Sequence, residues 1–302
     1  ALFPKSIILK NLIAASNAGL KKFDQAIEQF YKILEINPTD AVTYYNIGNI
    51  QKEKGDFDAE IASYEHAIRI KPNYAEAYNN MGSALKLKGE LSSAIKKFEG
   101  AIKIKFQFPE AHYNLGVALQ ESGQIIEAIK SYENACKLKC NYTKAHFNMG
   151  NALKDIGSLE NSVQSYEKAL KINPNFVEVY INFGKALHDL GKLDEAIDIY
   201  NQAIVIKSDY LEAYLNKGNV LHEKGDMEYA IESFKQAVEI KPDYAEALNS
   251  LGYALRDVGD FDLAIESYKK AIESKPDYAE AYGNMGIAYG DNGDLIKAME
   301  SF

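Results

Sequence analysis

The sequence predicts an all-α solenoid of antiparallel helix pairs, and three observations lead to that prediction. A glycine returns every 34 residues from Gly48 to Gly286. A second glycine series with the same interval runs from Gly55 to Gly293. Between the two series, apolar residues recur at helical spacing. Because one helix pair cannot bury its apolar faces alone, it must stack on the next pair, and the fold class is therefore an α-solenoid with a 34-residue repeat.

The repeat divides the chain into a single array. We predict complete repeats at residues 7–40, 41–74, 75–108, 109–142, 143–176, 177–210, 211–244 and 245–278, with a partial repeat at 279–302. Residues 1–6, which include Phe3 and Pro4, are interpreted as the tail of a preceding repeat. The helical pattern is still running at Phe302, so we expect the sequence to be part of a longer protein.

Composition and charge exclude several classes of protein. Hydrophobic residues make up 47% and charged residues 25% of the chain, as in soluble folded proteins. No apolar run approaches the roughly 18 residues of a spanning helix, and the first residues lack the plan of a signal peptide. We therefore expect a cytoplasmic protein with no membrane partner. The net charge is -9 with the signs interspersed, so no basic stripe for nucleic acid is expected.

Each repeat is predicted to hold two helices separated by the second glycine. In residues 75–108, Gly89 follows the first helix, where a positive φ closes the last turn. Gly82 lies inside that helix, where glycine costs about 1 kcal/mol relative to alanine. We expect this cost to be offset by close approach of the second helix and its ring, Phe98. Candidate caps of second helices are Asp56, Ser158, Asp226, Asp260 and Asp294.

The repeat pattern resembles a known family. In residues 245–278 it consists of Leu251, Gly252, Ala264, Tyr268, Ala271 and Pro276. A 34-residue helix pair with this pattern resembles the tetratricopeptide repeat, or TPR. The resemblance implies a right-handed superhelix, with first helices lining a concave groove that holds peptides or partner proteins. The array is also similar to the TPR superhelix of O-linked N-acetylglucosamine transferases, which implies an asparagine ladder along that groove.

One column of the first helices repeats a residue that helices disfavour. This asparagine column consists of Asn46, Asn80, Asn114, Asn148, Asn182, Asn216, Ser250 and Asn284. Asparagine costs up to about 0.7 kcal/mol relative to alanine inside a helix. Its carboxamide offers a donor and an acceptor, so a row of them can bind the backbone of an extended peptide. Two alternatives stay open: the side chains bond to neighbouring helices, or the column descends from repeat duplication.

The two columns beside it vary and are expected to set specificity. The first column reads Tyr45, Asn79, Tyr113, Phe147, Ile181, Leu215, Asn249 and Gly283. The second reads Asn49, Ser83, Val117, Asn151, Lys185, Asn219, Tyr253 and Ile287. We assign Tyr45, Tyr113, Phe147, Asn49, Asn151 and Asn219 to the groove together with the asparagine column. The alternative for the rings is that they lie flat against the adjacent helix.

A row of glutamates allows two interpretations. It consists of Glu76, Glu110, Glu178, Glu212, Glu246 and Glu280. The row would make the groove acidic and favour basic peptides. However, each glutamate follows a candidate cap by three residues, as Glu246 follows Asp243, which is the spacing of a capping box. We favour this role at the start of the helix.

No set of residues indicates catalysis. His112 and His146 stand in a column of tyrosines and are interpreted as buried, hydrogen-bonded substitutes for the ring. His188 and His222 have no further ligand for a shared metal, and the two cysteines, Cys136 and Cys140, lack partners for zinc. No phosphate loop or nucleophile elbow is present. We expect no catalytic residue, no metal, no cofactor and no enzymatic activity.

The prediction for function is a scaffold that binds a peptide or a helix of a partner protein. One alternative is that the array is the substrate-recognition arm of a larger transferase whose catalytic domain lies outside this sequence. Another is end-to-end self-association through the uncapped terminus at residue 302.

Overall fold

The computed structural model describes residues 6–301 of the chain. Its helices are α1 (Ile7–Gly19), α2 (Phe23–Leu34), α3 (Ala41–Lys54), α4 (Phe57–Ile70), α5 (Ala75–Leu87), α6 (Leu91–Ile104), α7 (Pro109–Glu121), α8 (Ile125–Leu138), α9 (Thr143–Asp155), α10 (Leu159–Ile172), α11 (Val177–Asp189), α12 (Leu193–Ile206), α13 (Leu211–Lys224), α14 (Met227–Ile240), α15 (Ala245–Asp257), α16 (Phe261–Ser274), α17 (Ala279–Asp291) and α18 (Leu295–Glu300). These residues contain no strand, which confirms the all-α prediction.

The chain forms two compact units. Unit 1 comprises residues 1–156 and contains α1 to α9, and unit 2 comprises residues 157–302 and contains α10 to α18. Within each unit, every helix packs against its neighbours in sequence, as α6 does against α5 and α7. The predicted repeat 75–108 holds α5 and α6, and the other repeats hold one pair each. The repeat boundaries, the single array and the superhelical hand stay predictions. Residues 1–5 and 302 lie outside the described residues.

The second glycine series closes the first helices as predicted. From Gly55 to Gly293, all eight of these glycines have φ between 71° and 89°. Residues with a Cβ rarely adopt this left-handed conformation, so glycine allows the chain to turn directly into the second helix.

The first glycine series permits close packing of the two helices, as predicted. A Cβ atom added to Gly82 would lie 2.7 Å from Cε1 of Phe98. The equivalent distance is 2.6 Å from Gly116 to Tyr132 and 2.7 Å from Gly252 to Tyr268. These rings are fully buried and form the centre of each helix pair. The absence of a side chain at these glycines therefore sets the separation of the helices.

The predicted caps of the second helices are confirmed in part. The carboxylates of Asp56, Asp260 and Asp294 accept hydrogen bonds from backbone N–H groups three residues later, at 3.2, 3.4 and 3.2 Å. Ser158 and Asp226 occupy the same position but make no side-chain cap bond.

The capping-box interpretation of the glutamates is wrong. The residue that precedes α15 is Tyr244 and not Asp243, and no side chain caps the helix. Instead, Glu246 forms an ion pair with Lys275, at 3.7 Å. Glu76 pairs in the same way with Lys105, at 2.9 Å, and this ammonium holds the pKa of Glu76 below its usual value. Both pairs therefore join the first helix of a repeat to the residue that follows the second helix of the same repeat.

The lysine of this pair also contacts an aromatic ring in the turn between repeats. The ammonium of Lys105 lies 4.7 Å from the ring centroid of Phe108, three residues later. The same contact is made by Lys71 with Tyr74, Lys139 with Tyr142, Lys207 with Tyr210, Lys241 with Tyr244 and Lys275 with Tyr278. Such a cation–π contact contributes roughly 0.5–1 kcal/mol at an exposed site.

One position in the core of unit 1 is chemically unlike its equivalents. The column Ala26, Ala94, Ala128, Ser162, Ala196, Ala230, Ala264 and Ala298 is buried and holds only small residues. Glu60 takes this position in α4 with 1% of its surface exposed. Its Oε2 atom has no hydrogen-bond partner within residues 6–301, and burial raises the pKa of its carboxyl to about 7.

Candidate functional site

The asparagine column connects successive first helices. Nδ2 of Asn80 in α5 donates to the hydroxyl of Tyr45 and to Oδ1 of Asn49 in α3, both at 3.1 Å. Asn114 donates to Oδ1 of Asn79 at 3.0 Å, and Asn148 donates to the hydroxyl of Tyr113 at 3.2 Å. In unit 2, Asn284 donates to Oδ1 of Asn249 at 3.0 Å. These bonds support the alternative in which the column bonds to neighbouring helices.

The column nevertheless keeps unused hydrogen-bonding groups. Oδ1 of Asn114, Asn148 and Asn284 makes no hydrogen bond within residues 6–301. Asn216 makes no side-chain hydrogen bond in that range, because the equivalent acceptor position in the preceding first helix is the apolar Ile181. The inter-helix bonds orient these carboxamides, and the Oδ1 atoms of Asn114, Asn148 and Asn284 are available to a ligand.

The rings beside the column pack against neighbouring helices. The Tyr45 ring lies 5.7 Å from Tyr64 and 5.0 Å from Tyr74, between centroids. Tyr113 makes the same two contacts, with Tyr132 at 6.0 Å and Tyr142 at 5.0 Å. For Tyr45 and Tyr113, the structure therefore supports the alternative that the rings lie against the adjacent helix. Phe147, the third ring assigned to the groove, is half-buried.

The assigned asparagines of the second flanking column differ in their environment. Asn49 is half-buried and its Oδ1 accepts from the hydroxyl of Tyr64, at 2.8 Å, as well as from Asn80. Asn151 is half-buried, and Asn182 of the asparagine column is half-buried too. Asn219 is exposed and makes no hydrogen bond within the described residues. Of these residues, Asn219 is the most accessible to a ligand.

Unit 2 contains a cavity of about 370 Å³ along its first helices. We call it the unit 2 groove, and it is lined by His188, Asn219, His222, Glu223, Phe234, Asn249, Ser250, Tyr253, Glu280 and Asn284. The lining residues come from α11, α13, α15 and α17, except for Phe234, which comes from α14. Asn219 and Asn284 were assigned to the peptide-binding groove from the sequence. The other residues that line this cavity were not.

The histidines of this groove are held by carboxylates one repeat further along the chain. Nε2 of His188 lies 2.5 Å from Glu223, and Nε2 of His222 lies 2.9 Å from Asp257. These pairs join α11 to α13 and α13 to α15, so the two histidines do not face a common metal. No group of three or more His, Cys, Asp or Glu side chains in residues 6–301 is arranged to hold a metal ion.

A second, more apolar cavity of about 630 Å³ lies at the start of unit 1. It is lined by α1 and α3 together with Phe30 of α2, and its side chains include the exposed Ile8, Leu12 and Val42. Asn46, the first residue of the asparagine column, also lines this cavity and makes no side-chain hydrogen bond among the described residues.

His112 and His146 are buried, as predicted for substitutes of the tyrosine ring. Nε2 of His112 donates to the carbonyl oxygen of Phe106 at 3.0 Å. The hydroxyl of Tyr180, at the same repeat position, donates to the carbonyl of Pro174 at 2.9 Å. Burial lowers the pKa of His112, which favours the neutral ring. These histidines therefore belong to the packing of the repeats.

Across residues 6–301, no helix combines the length and apolar character that are needed to cross a lipid bilayer. Among curated proteins, no sequence matches the chain significantly.

Several solved structures resemble the chain. MamA is 27% identical, with a TM-score of 0.53 and an alignment covering 56% of this chain and 92% of MamA. YrrB, described as a TPR protein with an unusual peptide-binding site, is 25% identical, with a TM-score of 0.55 and coverage of 65% and 97%. PilF of Pseudomonas aeruginosa has a TM-score of 0.56 over 68% of this chain and 94% of its own, and at 18% identity shows the fold alone.

Family matches extend over nearly the whole chain. The TPR repeat family matches residues 48–89, 82–123, 121–157, 150–191, 184–225, 218–258 and 252–293. A second tetratricopeptide repeat match covers residues 30–62. The helix pairs, the glycine positions and the solved structures agree with these matches. The chain therefore belongs to the tetratricopeptide repeat family.

Proposed function

We propose that this TPR chain is a protein-interaction scaffold that binds an extended segment of a partner protein along the asparagine column. The observation that supports this most strongly is the set of oriented but unsaturated carboxamides on the first helices. Asn114, Asn148 and Asn284 are each fixed by one inter-helix bond and keep a carbonyl oxygen for a ligand N–H. An extended peptide backbone supplies both donors and acceptors for such a row.

A neighbouring fold supports the same proposal. YrrB is described as having a peptide-binding site, and it aligns with 65% of this chain. We place the site in this protein on the first helices, because the unsatisfied amides and the unit 2 groove both lie there. The proposal assigns no catalytic step to the chain. The cytoplasmic location and the transferase-arm alternative stay predictions.

The test is affinity measurement with peptides selected from a phage-displayed random library against the whole chain. Asn216→Ala removes a carboxamide that makes no internal hydrogen bond, so stability should be unchanged while affinity falls. We expect a loss of about threefold to tenfold, the value of one hydrogen bond, by fluorescence anisotropy.

Asn134→Ala is the matched control. Asn134 is half-buried on the second helix α8 and makes no side-chain hydrogen bond in residues 6–301. Its replacement should leave the affinity unchanged. If Asn216→Ala and Asn148→Ala both bind the selected peptides as tightly as the unaltered protein, the asparagine column is not the binding site.

We also propose that the chain associates end to end. Leu295, Ile296 and Met299 on α18 are 69%, 73% and 81% exposed, and Ile8 and Leu12 on α1 are 75% and 63% exposed. These exposed apolar side chains favour a contact between α18 of one copy and α1 of another. Light scattering should give a mass that rises with protein concentration, and Ile296→Glu should abolish the rise. A mass that is independent of concentration would remove this proposal.

A further inference from the structure

The unit 2 groove lies over Phe234, which belongs to a column of tyrosine and phenylalanine. The column reads Phe30, Tyr64, Phe98, Tyr132, Tyr166, Tyr200, Phe234, Tyr268 and Phe302. The Tyr64 hydroxyl donates to Asn49 at 2.8 Å, and the Tyr132 hydroxyl donates to Gln120 at 2.9 Å. In the repeat of Phe234, the equivalent positions are Asn219 and His222. Phe234 has no hydroxyl that could bond to the Asn219 carboxamide, which makes no hydrogen bond within residues 6–301, and both residues line the cavity.

The groups that surround this cavity are mostly hydrogen-bond acceptors. The Oδ1 atoms of Asn219 and Asn284 receive no hydrogen bond from residues 6–301. Ser250 replaces the asparagine of the column and also has no partner there. Glu280 accepts one bond, from Asn249 at 3.1 Å, and makes no ion pair with the described residues. The Nε2 atoms of the two groove histidines are already engaged with carboxylates. A matching ligand group must therefore supply N–H donors.

The charge of the first helices in unit 2 also favours a cationic ligand group. In unit 2, α11, α13, α15 and α17 carry eight carboxylates and four lysine or arginine side chains. The first helices of unit 1, α1, α3, α5, α7 and α9, carry five carboxylates and six lysines. The unit 2 groove thus lies in a negative field, which attracts a cationic ligand and repels an anionic one.

We propose that the unit 2 groove is a subsite for an arginine side chain of the bound peptide, an inference that rests on the proposed function. A guanidinium group has five N–H donors and no acceptor, which matches the oxygens of Asn219, Ser250 and Glu280. Its planar face packs well on aromatic rings, and Phe234 lines the cavity. Partner segments that bind unit 2 are therefore expected to be basic.

The sharpest variant is Phe234→Tyr, since the column accepts tyrosine at five of its nine positions. The new hydroxyl is expected to bond to Asn219 and to occupy the base of the cavity without disturbing the fold. The probe is a fluorescein-labelled peptide of repeated Gly-Ser-Arg sequence, compared with the same peptide in which citrulline, a neutral analogue, replaces arginine. We expect the arginine peptide to bind at least about tenfold more tightly, and Phe234→Tyr and Asn219→Ala to remove most of that difference.

Phe98→Tyr is the matched control, because it is the same change in unit 1, outside the groove. It should leave the affinity for the arginine peptide unchanged.

Three results would overturn the inference. The arginine and citrulline peptides could bind equally tightly, neither peptide could bind, or Phe234→Tyr and Asn219→Ala could bind the arginine peptide with full affinity. The proposed function stands if library-selected peptides still depend on Asn216 and Asn148, and it fails separately if they do not. Equal binding of a lysine peptide would assign the subsite to cationic side chains in general and overturn the arginine assignment.

Discussion

Glu60→Gln is expected to stabilise unit 1 at neutral and alkaline pH and to have little effect in acid. The folded protein buries the Glu60 carboxyl, which raises its pKa from 4.5 to about 7. In the unfolded chain the carboxyl ionises first as pH rises, so the unfolded state binds fewer protons and stability falls. The decrease begins near the unfolded pKa and is complete above the folded one.

The expected size of this effect is large for one side chain. A pKa difference of about 2.5 corresponds to roughly 3 kcal/mol in the free energy of unfolding above pH 7. Glutamine keeps the volume of the side chain and cannot ionise, so the difference between the two proteins isolates this residue. Urea unfolding followed by circular dichroism at about pH 5 and about pH 8 measures it.

The control for this experiment is Glu53→Gln, which changes an exposed glutamate on the adjacent helix α3. Its effect on stability should be small and nearly the same at both pH values. If the unaltered protein and Glu60→Gln lose stability in parallel between the two pH values, burial does not raise the pKa of the Glu60 carboxyl in the folded state.

Gly252→Ala is expected to destabilise unit 2, although alanine normally favours a helix over glycine. The added methyl group would lie 2.7 Å from Cε1 of Tyr268, and this ring is fully buried. The two helices must therefore move apart or the ring must leave its position. Overpacking of this kind costs about 1–3 kcal/mol, which exceeds the gain in helix propensity of up to about 1 kcal/mol.

Gly283→Ala is the matched control within the same unit. Gly283 lies in α17, and apart from the local backbone of that helix no described group lies within 4 Å of the position of an added Cβ. This substitution should be neutral or stabilising in thermal unfolding. Equal effects of the two substitutions would mean that the ring does not require the missing side chain at Gly252.

The helix pairs could be predicted from the sequence because the residues that produce them recur at the same positions of successive repeats. The left-handed glycines, such as Gly89, and the packed glycines, such as Gly82, act through neighbours within the same repeat. A repeated pattern makes such local requirements visible in one sequence. The prediction that Gly82 faces Phe98 is confirmed for the same reason.

Side-chain contacts between residues far apart in the sequence were harder to predict. Asn80 bonds to Tyr45, which is 35 residues earlier, and Glu76 pairs with Lys105, which is 29 residues later. These intervals differ from the 34-residue period, so alignment of equivalent positions does not bring the partners together. The capping-box interpretation was wrong because it considered only the start of one helix.

The unit 2 groove depends on residues that break the repeat pattern. Phe234, Ser250 and Tyr253 each replace the more usual residue of a column, and together they line one cavity. The sequence contains each of these departures, but their convergence depends on helix packing. A useful signal in such arrays is several departures at neighbouring positions in successive first helices.

The central claim, that partners bind along the first helices, is tested most directly by mapping the contact. A library-selected peptide that carries a photoreactive benzophenone at its centre is irradiated with the whole chain, and the crosslinked residues are identified by mass spectrometry. The account predicts crosslinks on first helices, with those of unit 2 falling on α11, α13, α15 or α17. Crosslinks confined to second helices, such as α12, α14 and α16, would contradict it.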